Sequence, residues 1–162
     1  MDISNETFSL ESMSKGLLKG DFKFQVTNCC YVEKYMNTPM DGKYSIPLIF
    51  ESESNAICDV TMSDNKLIIV IRDLQLERGY FPQHFSSKVY PHRFNMLGKN
   101  NDDFRMLIVP FADMTNTPRN HIRAEFIFDK GKLDSIGFNI SEMDDNFHVN
   151  ETELRLYGKI VE

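Results

Sequence analysis

The residues most able to do chemistry lie near the start of the chain. Ser12-Met13-Ser14-Lys15 fits S-x-x-K, which on a helix sets a serine hydroxyl one turn from a lysine able to take its proton. Tyr35-Met36-Asn37 adds a Y-x-N triplet. Only about twenty residues separate the two, no Lys-Thr-Gly strand accompanies them, and matches this short arise by chance. The histidines, His84, His92, His121 and His148, show no H-x-x-x-H or His–carboxylate spacing. Neighbouring strands could bring His92 and His121 together, but a metal would need a third ligand and groups to orient it. Glu142, Asp144 and Asp145 resemble part of a calcium loop without its central Gly and terminal Glu, and read as a solvated acidic loop. Cys58 shares a face with Val60 and Met62 and reads as a small core residue, not a nucleophile. These residues therefore imply no catalysis, no metal and no cofactor.

Composition narrows the partners. The 162 residues carry a net charge of −6 with no basic stripe, which argues against nucleic acid and against an anionic membrane face. No stretch reaches the roughly 20 apolar residues of a membrane span. Met1–Thr7 has neither a basic start nor an apolar run, so no secretory signal is expected. Cys29, Cys30 and Cys58 are odd in number and lack C-x-x-C spacing, which fits free thiols in a reducing cytoplasm. Asn5, Asn139 and Asn150 head N-x-S/T triplets, read as chance matches. The core material is 13 Phe, 9 Met and 6 Tyr without Trp.

The elements that would position a site are nearly all strands. Phe8, Leu10, Met13, Leu17 and Leu18 fall at helical spacing before Gly20, so residues 1–20 are expected to form a short helix or extension. Residues 21–162 form the single barrel domain. Ile122, Ala124, Phe126 and Phe128 alternate with Arg123 and Glu125; Ile136, Phe138 and Ile140 alternate with Ser135, Gly137 and Asn139. Between these runs Asp129-Lys130-Gly131-Lys132 supplies a hairpin turn, with Gly131 free to take positive φ. A second hairpin pairs Ala56–Met62 with Leu67–Ile71 through Ser63-Asp64-Asn65; the unbroken second run suits a strand covered on both faces. Further strands are read at Phe22–Val26, Tyr31–Tyr35, Tyr44–Phe50 (an edge or a bulge, given Pro47), Lys88–Leu97, Phe104–Val109 and Leu154–Ile160. Residues 73–87 read as a long connection with a partial helical turn, whose Tyr80, Phe81 and Phe85 would plug one barrel end or form a lid, the plug being preferred. Consecutive strands with short links pair antiparallel, and a large sheet curls to hide its edges. The expectation is all-β: an antiparallel up-and-down barrel of about eight strands, with a two-sheet sandwich as the alternative.

Several motifs also resemble the lipocalin-like barrel domain at the C-terminus of many serine β-lactamase-like hydrolases. They are Gly42-Lys43-Tyr44, Ser63-Asp64-Asn65-Lys66-Leu67, Val89-Tyr90-Pro91-His92-Arg93-Phe94 and Phe126-Ile127-Phe128-Asp129-Lys130-Gly131-Lys132-Leu133, spanning about residues 40–140. The resemblance implies a calycin-like barrel that serves as an accessory domain and carries no hydrolytic residues. The functional expectation is a cytoplasmic, non-catalytic barrel that binds a small apolar ligand or docks on a protein. Tyr90, Phe94, Phe126 and Phe128 would line any ligand site. The alternatives are a regulatory component of a serine hydrolase system and a structural interaction module with a filled core.

Overall fold

The computed structural model describes residue 18 and residues 20–36, 46–63, 66–76, 81–88, 95–98, 104–111, 121–145 and 148–161. Ten strands form one antiparallel sheet: β1 (Phe22–Met36), β2 (Leu48–Glu53), β3 (Ile57–Ser63), β4 (Lys66–Arg72), β5 (His84–Lys88), β6 (Asn95–Gly98), β7 (Phe104–Pro110), β8 (His121–Asp129), β9 (Lys132–Met143) and β10 (Val149–Val161). No helix occurs among the described residues. The expected helix over residues 8–20 falls, save Leu18 and Gly20, outside them, and Leu18 is buried in the core.

The hydrogen-bonded order is β5-β4-β3-β1-β10-β9-β8-β7-β6, with β2 also on β1. Within each wing sequential strands pair, β3 with β4 and β4 with β5 on one side and β6 through β10 on the other, while β2 and β3 both pair with β1, and β1 pairs with β10 from Lys23↔Val161 to Met36↔Val149. This is the connectivity of an up-and-down barrel, and the sheet curls into a half-barrel. Its two borders are β5 and β6, which are not paired with each other among the described residues.

Local sequence explains the elements. On β8 the period-two pattern buries Ile122, Ala124, Phe126 and Phe128 on the concave face. Lys130 (φ 52°) and Gly131 (φ 77°) both take positive φ, the type I′ geometry whose twist matches the strands it joins. The β3–β4 hairpin runs in register from Ile57↔Arg72 to Ser63↔Lys66. Leu67, Ile69 and Ile71 face the core, while Ile68 and Val70 are half-buried, so the convex side of β4 is not fully covered.

Two expectations are corrected in detail. Phe22–Val26 and Tyr31–Tyr35 belong to one strand, β1, interrupted by a bulge at Thr27 that shifts its register against β10. The break is mirrored across the sheet. β2 pairs with Asn28–Glu33 and β3 with Phe22–Gln25, so both lie along the same side of β1, with Ser54-Asn55-Ala56 between them. The backbone stays bonded through this break: Val26 N–H donates to Ala56 O at 2.9 Å, and Ser54 N–H to Thr27 O at 2.9 Å. Residues 84–87, expected within a connection, form with Lys88 strand β5, which pairs with β4 from Lys66↔Lys88 to Val70↔His84. Ser86 and Ser87 gave a loop signal there, and pairing with the apolar β4 outweighs it.

Candidate functional site

The concave face was the expected ligand site, and it is occupied by the protein's own rings. Phe85 of β5 stacks on Phe138 of β9 with centroids 4.5 Å apart, linking the two wings of the sheet. Phe111 lies 5.6 Å from Phe85, and Phe81 meets Phe85 at 6.0 Å and Phe138 at 6.1 Å. Tyr31 continues the chain of rings edge-on to Phe81 at 6.4 Å. Phe126 and Phe128 are fully buried in this core. Tyr90 and Phe94 lie outside the described residues. Phe81 and Phe85, expected in a plug or a lid, are buried, while Tyr80 lies outside the described residues.

The convex face carries a polar lattice set by strand register. One cross-strand row reads Glu51, Cys30, Arg155, Gly137, Glu125 across β2, β1, β10, β9 and β8. The Arg155 guanidinium lies over Gly137, where a Cβ would sit 2.6 Å from Nη2. From there it donates to Glu125 Oε1 at 3.3 Å and to Ser135 Oγ at 3.3 Å. In the next row the buried Asn139 amide donates to Glu151 at 2.6 Å and Glu153 at 3.0 Å, and Lys34 reaches Glu153 at 3.4 Å. Every buried side-chain nitrogen and oxygen described has a hydrogen-bond partner. Such a satisfied lattice pins register.

Two thiols, Cys30 and Cys58, are shifted upwards. Burial, reinforced by Glu51 and only partly offset by Arg155, pushes the Cys30 thiol above its ordinary value. Cys58 is fully buried, and desolvation with Asp59 nearby pushes it far higher. Cys29 and Cys30 point to opposite faces, and all three cysteines are free. Ser12, Lys15, Asn37 and His92 lie outside the described residues, whereas His84 and His121 are exposed. The acidic loop has a local task. Asp144 accepts the His148 backbone N–H at 2.8 Å and meets its Nδ1 at 3.0 Å, closing the β9–β10 turn. Among the described residues no group of three or more His, Cys, Asp or Glu could hold a metal ion, and no helix is long and apolar enough to cross a membrane.

What stands out is the edge of β2. Ile46 is 89% exposed, Ile49 58% and Leu48 44%, with Leu48 and Ile49 on opposite faces of the strand, and Glu51 and Glu53 beyond them are also exposed. Clefts open at both ends of this strand. One of about 510 Å³ lies between Ile46, Leu48 and Tyr35 on one side and Glu142 and Glu151 on the other. The other, about 860 Å³, lies between Glu53-Ser54-Asn55 and Asp73 and Gln75. It exists because the chain leaves β4 at Arg72, turns at Asp73 (φ 61°) and tucks Leu74 into the core. Among the described residues β2 pairs with β1. Pro47 was the sequence signal read here, as an edge or a bulge. No family model, characterised protein or solved structure matches the chain.

Proposed function

We propose that this chain is a non-catalytic, lipocalin-like barrel that acts as an interaction or accessory domain, with its interior filled by its own side chains. The observation that carries this reading is the Phe85–Phe138 stack at 4.5 Å, with Phe81 and Phe111 packed around it where a barrel ligand would sit. A small-ligand site needs a preformed hollow of about 300–1,000 Å³ with apolar walls and a few polar groups. The two clefts of comparable volume instead open at the ends of an exposed strand. The exposed apolar side chains of Ile46, Leu48 and Ile49 support a macromolecular contact at this strand. The sequential antiparallel order with β1 on β10 supports the lipocalin-like part of the reading, and three free thiols support a reducing, cytoplasmic setting.

Native mass spectrometry of the purified chain, with thermal shift across a lipid and metabolite panel, tests the proposal. An apo mass and an unmoved midpoint are expected. A co-purified small molecule released on unfolding would replace this reading with ligand transport or storage.

A further inference from the structure

We infer that the polar cleft between the end of β2 and the segment after β4 is a socket for an arginine side chain presented by a partner protein. The inference rests on the interaction-domain reading and names the partner's chemistry.

Three irregularities of the sheet meet at this cleft. β1 bulges at Thr27, the chain passes from β2 to β3 through Ser54-Asn55-Ala56, and beyond β4 it turns at Asp73. The walls are held from within. Gln25 Nε2 donates to Asn55 O at 3.3 Å and to Ala56 O at 3.2 Å. Thr27 Oγ1 donates to Tyr157 O at 3.3 Å, and Ser54 Oγ accepts the Ala56 N–H at 3.2 Å. Leu74, buried in the core, anchors the wall that carries Asp73 and Gln75. Walls already ordered in this way lose little freedom when a ligand enters.

The remaining side chains of the cleft have their bonding capacity unspent. Asn28, Glu53, Asn55, Asp73 and Gln75 line a space of about 860 Å³, and among the described residues none of these side chains has a hydrogen-bond or ion-pair partner. Asn28 and Glu53 are cross-strand neighbours in the β1–β2 register, so they act on the same part of the space. The lining has no cation: Arg72, next to Asp73, is spent on Asp59 at 2.7 Å. Two carboxylates and three amide oxygens thus offer acceptors to one guest. A guanidinium suits them, since it is always charged, has five N–H donors in a planar fork and has no acceptor. An ammonium offers three donors and holds its water more tightly. The lining has no apolar side chain for a hydrocarbon ligand, and its carboxylates repel an anion. The net charge of −6 steers a cationic partner towards the chain.

The test titrates the isotope-labelled full chain with a capped Gly-Ser-Arg-Ser-Gly peptide and follows its nuclear magnetic resonance spectrum. Matched peptides carry Lys or the neutral isostere citrulline in place of Arg. The Arg peptide should shift the side-chain amide signals of Asn28, Asn55 and Gln75 to saturation and weaken as salt is raised. The Lys peptide should bind several-fold more weakly, and the citrulline peptide should not saturate. The double variant Glu53→Gln, Asp73→Asn alters two exposed side chains, and Asn tolerates the backbone at position 73; it should weaken the Arg peptide roughly tenfold. Absence of saturable shifts, equal binding by the citrulline or Lys peptide, equal binding by the double variant, or shifts confined to other residues would overturn the inference. So would a dimer that the double variant dissociates, since the occupant would then be a second copy. A co-purified guanidinium metabolite lost from the double variant would overturn the partner protein as its source. A co-purified apolar molecule retained by that variant would instead strike the underlying interaction-domain reading.

Discussion

Phe85→Ala probes the claim that the interior is a packed core. Phe85 is fully buried and touches three other rings: Phe138 at 4.5 Å, Phe111 at 5.6 Å and Phe81 at 6.0 Å. Truncating a buried Phe costs about 3–5 kcal/mol, because the transfer energy is lost and a hollow remains. This site should lie at the upper end, since its neighbours come from β9 and from segments flanking β5 and β7, and they cannot close together without moving the sheet. For a domain of this size each kcal/mol is worth roughly 2–4 °C, so the midpoint should drop by roughly 6–20 °C. Urea unfolding of Phe85→Ala, Phe138→Ala and the double variant measures both the loss and the coupling, expected at about 0.5–1.5 kcal/mol for the stacked pair. A loss below about 1.5 kcal/mol, with no coupling, would show that these rings line a yielding pocket, and the filled-core argument would fail.

Gly137→Ala should cost roughly 1 kcal/mol by lifting Arg155 off Glu125, whose side chain is only 12% exposed, and yet become stabilising by about 0.5–1 kcal/mol in an Arg155→Ala background. Denaturant midpoints of the four proteins check this reversal, and the same sign in both backgrounds would refute it. Cys58 gives a pH dependence. Its folded thiol is held protonated by burial, while the unfolded thiol ionises near the ordinary value of 9.0. The unfolded state therefore loses its proton first, and wild type should lose stability relative to Cys58→Ala as pH rises past that value, by up to about 1.4 kcal/mol per pH unit. Parallel stability curves for the two proteins between neutral pH and pH 10 would show that the thiol is solvated.

The strands were legible wherever one face is wet and the other dry. Ile122–Phe128 and Ile136–Ile140 declare their buried sides by alternation, and Gly131 marks the turn between them. β5 was hidden because it is short and its His84-Phe85-Ser86-Ser87-Lys88 sequence carries a single large apolar residue, so only its partner β4 makes it a strand. The bulge at Thr27 was hidden for a related reason: nothing in Gln25–Asn28 announces a slip that depends on where β10 and Ala56 place their bonds. The convex lattice was out of reach because Glu125, Gly137 and Arg155 meet only once two registers are fixed. A glycine in the middle of a strand was the one hint that something large had to lie over it. Pro47 hinted at an edge or a bulge, while the pairing of β2 with Asn28–Glu33 of β1 depends on the break at Thr27.

The contact between β1 and β10 has a consequence for how the molecule is made. β10 is the bridge between the two halves of the sheet, and its register with β1 joins residues nearly the whole sequence apart. On the ribosome, β1 can find β2 and β3 soon after they emerge, but its other flank stays open until β10 has been made. Loop closure on that scale is slow, so the chain carries an unpaired, phenylalanine-bearing border over the interval between the two strands. Pairing of β10 with β1, more than any local hairpin, is the step that closes this border.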